Sequence, residues 1–415
     1  MIQAQILADS INPQGDRITT MKVTFPRIVL AEFNTHRMFS RNSASSRAIP
    51  FKKMVQMVKE NPFIPIAWQK DHKGMQGTEY HDSEKLYSLG EFAEKLRLLL
   101  GEKHNACFFS IYEFIAHLNQ LNMTLSGWWL YARDRVLEEA CIMYIFGATK
   151  QIVNRLLEPF MWHTVIVTAT EWENFFKLRC PQYAYKFTTE DVGYFRTKRE
   201  WAKQWHQDTK DSCSTNDNDL FWWEINKGQA EIHISLLAEK MYDALNESTP
   251  KELKAGEWHI PFGDNIDIKE LEEVTPLETW SLSPSNSRHA AKENEVNRKT
   301  ISNIERLQQN KLKIAVARCA RISYQTFGDN PKIDYAADIK LHDMLASNGH
   351  ASPFEHIAKA MDDKEYEWYG KMSPVKESTW VEGQLGYKVS GSLNEGWCRN
   401  FKGFIQYREL LEDGI

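Results

Sequence analysis

Apolar residues crowd the stretch from Lys22 to Phe33, where Val, Ile and Phe dominate, and the crowding stops at Asn34. A buried strand is the element expected there, delivering a polar loop from Asn34 to Arg47 that is dense in Ser and Arg. Pro50 then stands where a helix would begin, and Phe51, Met54, Val55 and Val58 recur at helical spacing as far as Glu60. From Glu84 to Phe146 the pattern is mostly helical, with Leu86, Leu89, Phe92 and Leu96 along one stripe. A further helix is expected to end at Pro159, and Trp162 to Thr168 is β-branched enough for a strand. Thr170 with Glu173 three residues on predicts a capping box, opening a helix whose Trp172, Phe175, Phe176 and Leu178 lead to Arg179.

Between Cys180 and Asn226 the periodicity breaks, and a polar knot from Asp208 to Asp219 predicts a surface insertion. Helical spacing resumes from Ala230 to Leu245. The segment Trp280 to Asn310 is polar and charged, with no aromatic after Trp280, and predicts a linker. Three stretches follow from this: 1–279, the linker 280–310, and 311–415. Ile314 to Tyr324 restarts the apolar pattern. Ile339, Leu341, Met344 and Leu345 predict a helix closed by Gly349, and Ser352-Pro353-Phe354-Glu355 predicts the capped start of another. The tail from Met372 to Gly403 is rich in Gly and Ser and assigns itself to no element.

Composition narrows the class. Of 415 residues, 42% are hydrophobic and 26% charged, and 14 are Trp, so the chain has ample material for a packed core. A formal net charge of −5 offers no global attraction to a nucleic-acid backbone, so any anion must be held by local Arg and Lys clusters. A nucleotide fits better than a duplex, and no nucleic-acid partner is expected. The six cysteines are scattered without C-x-x-C or zinc spacing, so no metal is expected and a reduced, cytoplasmic protein is the natural reading. The start lacks a basic segment followed by an apolar core, and no apolar run approaches the roughly 20 residues of a membrane span.

Three patches could carry chemistry. Thr35 to Arg47 packs three Arg, one His and four Ser into thirteen residues, a donor set suited to a phosphate, though a solvated basic loop accounts for the same composition. His350-Ala351-Ser352-Pro353-Phe354-Glu355-His356 reads as a helix cap on its own, and its two His match no usual zinc spacing. The third patch comprises Arg155, Asn174 and Arg179. A C-terminal Arg179 is explained by the helix dipole alone, and Cys180 beside it reads as an inert thiol.

Together these patches resemble the flavin-dependent thymidylate synthases. The family signature R-H-R-x-x-S-x-N-E-x-S-x-R stands here as Thr35-His36-Arg37, Ser40, Asn42-Ser43, Ser45 and Arg47. Its G-H and S/T-P-F-E-H element matches Gly349 to His356, and its R-x-S-Y stretch matches Arg321-Ile322-Ser323-Tyr324. Its N-F-x-x-L-R element matches Asn174 to Arg179, followed after the insertion by Gly228 to Ile232. In ordinary members the S-P-F-E-H element precedes the R-H-R element, so the order here is that of a circular permutation.

The resemblance implies an α/β (α+β) fold of the thymidylate synthase-complementing kind, a central antiparallel or mixed sheet with long helices, its elements permuted. It implies FAD as cofactor, held by His36, Arg37, Asn174, His350, Ser352 and Glu355. NADPH and methylenetetrahydrofolate would be co-substrates, a pyrimidine deoxynucleotide the substrate, and a homotetramer the assembly, because the family builds each site from several subunits. Ser45, Ser46, Arg47 and Arg155 would hold the nucleotide phosphate and sugar. Arg179 would face the pyrimidine ring, Arg179 and Ser45 would be the catalytic candidates, and Gln406 would be a remnant of the strand leading into the R-H-R element. The implied reaction moves a one-carbon unit to C5 of dUMP. Two departures bear on it: Thr35 replaces the first Arg, and Ser43 replaces the Glu after Asn. They leave open a different pyrimidine nucleotide, a hydroxymethylated product, or a non-catalytic nucleotide-binding homologue.

Overall fold

The computed structural model describes residues 1–73, 79–88, 99, 122–188, 191–210, 219–277, 289–323, 334–371, 376–381, 384–389 and 395–412. The stripe at Leu89, Phe92 and Leu96, residues 211–218 of the polar knot, and Tyr324 lie outside the described residues.

The centre is a mixed sheet of five strands. In chain order they are β1 (Gln3–Ile11), β2 (Arg17–Pro26), β3 (Ser40–Ser43), β4 (Trp162–Ala169) and β5 (Lys251–Glu252), arranged β3-β4-β2-β1-β5. All pairs are antiparallel except the short β1–β5 edge. Two of the three inner strands earn their place by composition: Val165, Ile166 and Val167 of β4 and Met21, Val23 and Phe25 of β2 are fully buried.

The strand expected over Lys22 to Phe33 starts earlier and stops at Pro26. An interior strand needs an N–H at each residue, and Pro26 has none, so the ladder ends with its pairing to Trp162. Beyond it Leu30–Asn34 forms α1, which puts Val29 and Phe33 four residues apart on one buried face. A short helix, not a strand, therefore delivers the polar segment. That segment is itself partly a strand, since Ser40–Ser43 pairs with Thr168 to Val165.

Helices cover both faces of the sheet. On one, α5 (Glu173–Arg179) and α6 (Ile232–Glu247) pack Phe175, Phe176, Ile234, Leu237 and Met241 on Met21, Val23, Val165 and Val167. On the other, Ile166 meets α7 (His289–Arg321), α8 (Tyr335–Ser347) and the 3-10 turn Ser352–His356 through Leu312, Val316, Cys319, Leu345 and Phe354. Period-two alternation along β4 thus feeds two cores. Between α1 and α5 in the chain, α2 (Phe51–Glu60) buries Phe51, Met54 and Val58 against α3 (Leu125–Ile145) and α4 (Lys150–Leu156). A smaller sheet joins the middle and late chain, with β6 (Trp258–His259), β7 (Ala358–Ala360) and β8 (Phe404–Gln406) in that order.

Helices over Phe51 to Glu60 and Ala230 to Leu245, the strand at Trp162 and the Gly349 stop all form where the pattern predicts them. The polar segment from Trp280 is helical from His289 onward, within α7. Two predicted caps do not form. Trp172, not Thr170, caps α5, because the Thr170 hydroxyl accepts the Lys402 N–H at 3.0 Å and Glu173 pairs with Arg196. The S-P-F-E-H element is a five-residue 3-10 turn without a side-chain cap; Ser352 turns to Asn42 and Glu355 to Arg408 instead. In both cases a tertiary partner outbids the local one. The Gly- and Ser-rich tail contains a hairpin, Lys376–Val381 against Gln384–Val389. No described helix is long and apolar enough to cross a membrane.

Candidate functional site

The segment after α1 places its residues in alternation. His36 is buried with its ring stacked on Phe39 and edge-on to Phe175 at 4.8 Å. Its Nε2 accepts the Nε–H of Arg179 at 3.2 Å, which assigns the ring proton to Nδ1. Burial, with the Arg179 and Arg41 charges, holds the His36 pKa down to about 4, so the ring is neutral and a good acceptor. Arg179 reaches Thr35 Oγ1 with its Nη2 at 3.5 Å, and that hydroxyl gives its own proton to the Glu32 carbonyl at 2.7 Å. Arg41 ties the loop back on itself by donating to the carbonyls of Phe33 and His36, both at 3.1 Å.

Along β3, Ser40 and Asn42 point inward and are satisfied there. Ser40 Oγ accepts from Asn400 at 3.0 Å and from Gln406 at 3.4 Å. Asn42 donates to the Cys319 carbonyl of α7 at 2.6 Å and accepts the Ser352 hydroxyl at 3.4 Å. The chain after β3 is held by the R-x-S-Y stretch, with Ser323 Oγ donating to the Ser43 carbonyl at 3.2 Å. Arg321 is anchored on Asp338 at 2.7 Å.

Two clefts open on this frame. The first, of about 440 Å³, is lined by Asn42, Ser45, Arg47, Gln151, Ser323, His350 and Ser352 on a polar side and by Ala320, Leu345 and Pro353 on an apolar one. The second, of about 670 Å³, is lined by Arg27, Ser43, Ser45, Ser46, Arg47, Arg155 and Glu158. Ser45 and Arg47 belong to both, so the clefts are neighbours. Arg47 and Arg155 are exposed and carry no ion pair among the described residues, an arrangement that attracts an anion.

The structure therefore brings Ser45, Ser46, Arg47, Arg155, His350 and Ser352 to two adjoining clefts. It keeps His36 with Arg179 in a separate cluster on the α1 and α5 side. Arg37 and Asn174 are exposed and line neither cleft. Glu355 is half-buried in an ion pair with Arg408 at 2.6 Å and close enough to act on the Arg41 charge. Gln406 is buried behind Ser40, and its Oε1 has no partner among the described residues. Cys180 is buried and burial pushes its thiol pKa up, so it is no nucleophile. No group of three or more metal-ligating side chains occurs among the described residues.

Sequence reasoning missed Arg27, Glu158, Gln151 and the apolar wall of the first cleft. Arg27 follows the Pro that ends β2 and Glu158 precedes Pro159, so each looked like a residue at an element boundary. It also missed a buried polar chain across the sheets: Ser10 to His259 Nδ1 at 2.9 Å, His259 Nε2 to Thr20 at 2.8 Å, Thr20 to Thr168 at 2.7 Å and Thr168 to His356 Nδ1 at 2.8 Å.

No protein-family model matches the chain, and no curated protein matches it. Among solved structures, it is similar to the crystal structure of PolB, a UMP/dUMP methylase from Streptomyces cacaoi bound with 5-Br dUMP, at 12% identity and a TM-score of 0.24. The match covers 55% of this chain and 66% of that one. A likeness of that size assigns neither a family nor an activity.

Proposed function

We propose that this chain is a flavin-dependent enzyme of the thymidylate synthase kind, transferring a one-carbon unit from methylenetetrahydrofolate to C5 of dUMP. The observation that supports the reading is the shared cleft. Residues 42–47 and 350–353, some three hundred positions apart, line one wall-to-wall space and touch through Ser352 and Asn42. Sequence order alone gives no reason for them to meet.

The first cleft fits part of a flavin, since a flat ring with a polar edge would lie against Ala320, Leu345 and Pro353 while Asn42, Ser323 and Ser352 face its heteroatoms. The flavin, reduced by NADPH, would supply the hydride that turns the transferred carbon into a methyl group. Arg47 and Arg155 would hold the nucleotide phosphate in the second cleft, with the Ser45 hydroxyl as a neutral donor. Arg179, oriented by neutral His36, would stabilise negative charge on a pyrimidine carbonyl oxygen as C5 becomes nucleophilic. His36 and Arg179 line neither cleft, and in this reading the site is shared between subunits of a homotetramer, each chain lending that pair to a neighbour.

Purified protein mixed with FAD should acquire a flavin absorption spectrum. With dUMP, methylenetetrahydrofolate and NADPH it should yield a product carrying a methyl group at C5, heavier than dUMP by one CH₂. Failure to take up FAD would sink the reading, and a product bearing hydroxymethyl would replace methylation with hydroxymethylation.

A further inference from the structure

The second cleft holds two kinds of polar group. Arg47, Arg155 and the Ser45 hydroxyl are donors without side-chain partners among the described residues. Ser46 and Glu158 are the opposite. A serine hydroxyl has one proton, and Ser46 gives it to Glu158 Oε1 at 2.5 Å. The backbone at Ser46 is held in place, because Asn154, fully buried, donates to its carbonyl at 2.7 Å and to that of Ile49 at 2.9 Å. Glu158 Oε2 receives both Nε and Nη2 of Arg27 at 3.3 Å, and Arg27 Nη1 in turn donates to His163 Nε2 at 3.3 Å.

What Ser46 and Glu158 still offer the cleft is lone pairs. A carboxylate has about four acceptor positions and only some are taken here. A phosphate dianion has no proton to give such a pair, and its charge would be repelled by the carboxylate. A hydroxyl has one to give.

We propose that Ser46 and Glu158 form a hydroxyl-reading subsite, accepting a hydrogen bond from the sugar of a nucleotide whose phosphate sits on Arg47, Arg155 and Ser45. This rests on the cleft being the nucleotide site. It removes Ser46 from the phosphate donors and makes Arg27 a positioning residue that holds the carboxylate in place. In a deoxyribonucleotide the only sugar hydroxyl is the 3′-OH, so the subsite reads that group.

The test is calorimetric binding of dUMP and of 2′,3′-dideoxyuridine 5′-monophosphate to the full chain. Wild-type protein should bind the dideoxy compound roughly tenfold to a hundredfold more weakly, the worth of one hydrogen bond to a charged acceptor. In Glu158→Gln the amide turns its NH₂ to Ser46, and the gap should shrink to about threefold or less. Ser46→Ala should narrow it as well, and serves if the Gln variant does not fold. Equal binding of both nucleotides by wild type, or a full gap in either variant, overturns the subsite while leaving the nucleotide reading intact. If wild type binds neither nucleotide, the reading of the cleft itself fails and the subsite with it.

Discussion

His36 can steer Arg179 because a neutral imidazole offers Nε2 as an acceptor without bringing a charge that would cancel the guanidinium. His36→Phe keeps the stacking on Phe39 and Phe175 but deletes that acceptor. Under the proposed function, its kcat should fall roughly tenfold to a hundredfold, with flavin uptake unchanged; an unaltered kcat would leave His36 a packing residue only. Arg179→Ala should abolish turnover while the flavin spectrum remains. A second residue-scale consequence concerns acid. His163, His259 and His356 are buried, and burial pushes each pKa down to about 3 from an ordinary 6.5. Between those values the unfolded chain binds more protons than the folded one, so stability rises with pH across that window and these groups add no slope above it. The thermal midpoint should be level from about pH 8 to pH 7 and fall steadily from about pH 6.5 toward pH 5, as these shifts require. A midpoint unchanged down to pH 5 would contradict the assigned burial. None of this was legible in the sequence, where each histidine is one polar letter among apolar neighbours.

Elements were legible in proportion to how much of their burial comes from their own repeat. Phe51–Glu60 buries what its periodicity says it buries, Trp162–Ala169 is buried along its length as its β-branched content suits, and both form close to the expected bounds. The caps failed because Thr170, Glu173, Ser352 and Glu355 found partners far along the chain. Two glycines show how element ends are set. Gly349 closes α8 with φ +69°, in open space, so Gly349→Ala should cost only the left-handed backbone penalty, roughly 1–2 kcal/mol. Gly403 has φ +75°, and its added Cβ would fall on the Asn12 and Asp16 side chains, while its carbonyl accepts Asn12 Nδ2 at 2.9 Å. Gly403→Ala should therefore lose the same backbone term plus overpacking of roughly 1–3 kcal/mol. Chemical denaturation of both variants checks the order, and a less stable Gly349→Ala would reverse the argument.

Across the whole molecule the early, middle and late parts of the chain are one structure, with Asn12 donating to the Gly403 carbonyl at 2.9 Å. β6 pairs with β7, and β7 with β8, while Ile166 of the central sheet packs on Leu312 and Phe354 from the late chain. Chain order matters little to such an arrangement, because contacts carry the burial energy. If neighbouring subunits complete each site, mixing inactive Arg47→Ala with inactive Arg179→Ala protein, after dissociation and reassembly, should restore part of the activity. Mixtures that stay inactive would confine the site to one chain. Local spacing was enough for the helix at Phe51–Glu60, and composition for the strand at Trp162–Ala169 and the stock of Arg, Ser and His around residues 35–47, whereas β2 was displaced along the chain and β1 left no signal. Which of those side chains share a cleft, that Arg179 stands apart with His36, and that Ser46 has no proton to spare were settled by folding. Those facts depend on partners such as Glu158, 112 positions from Ser46, and a hydrogen bond at that separation leaves no trace in any local pattern.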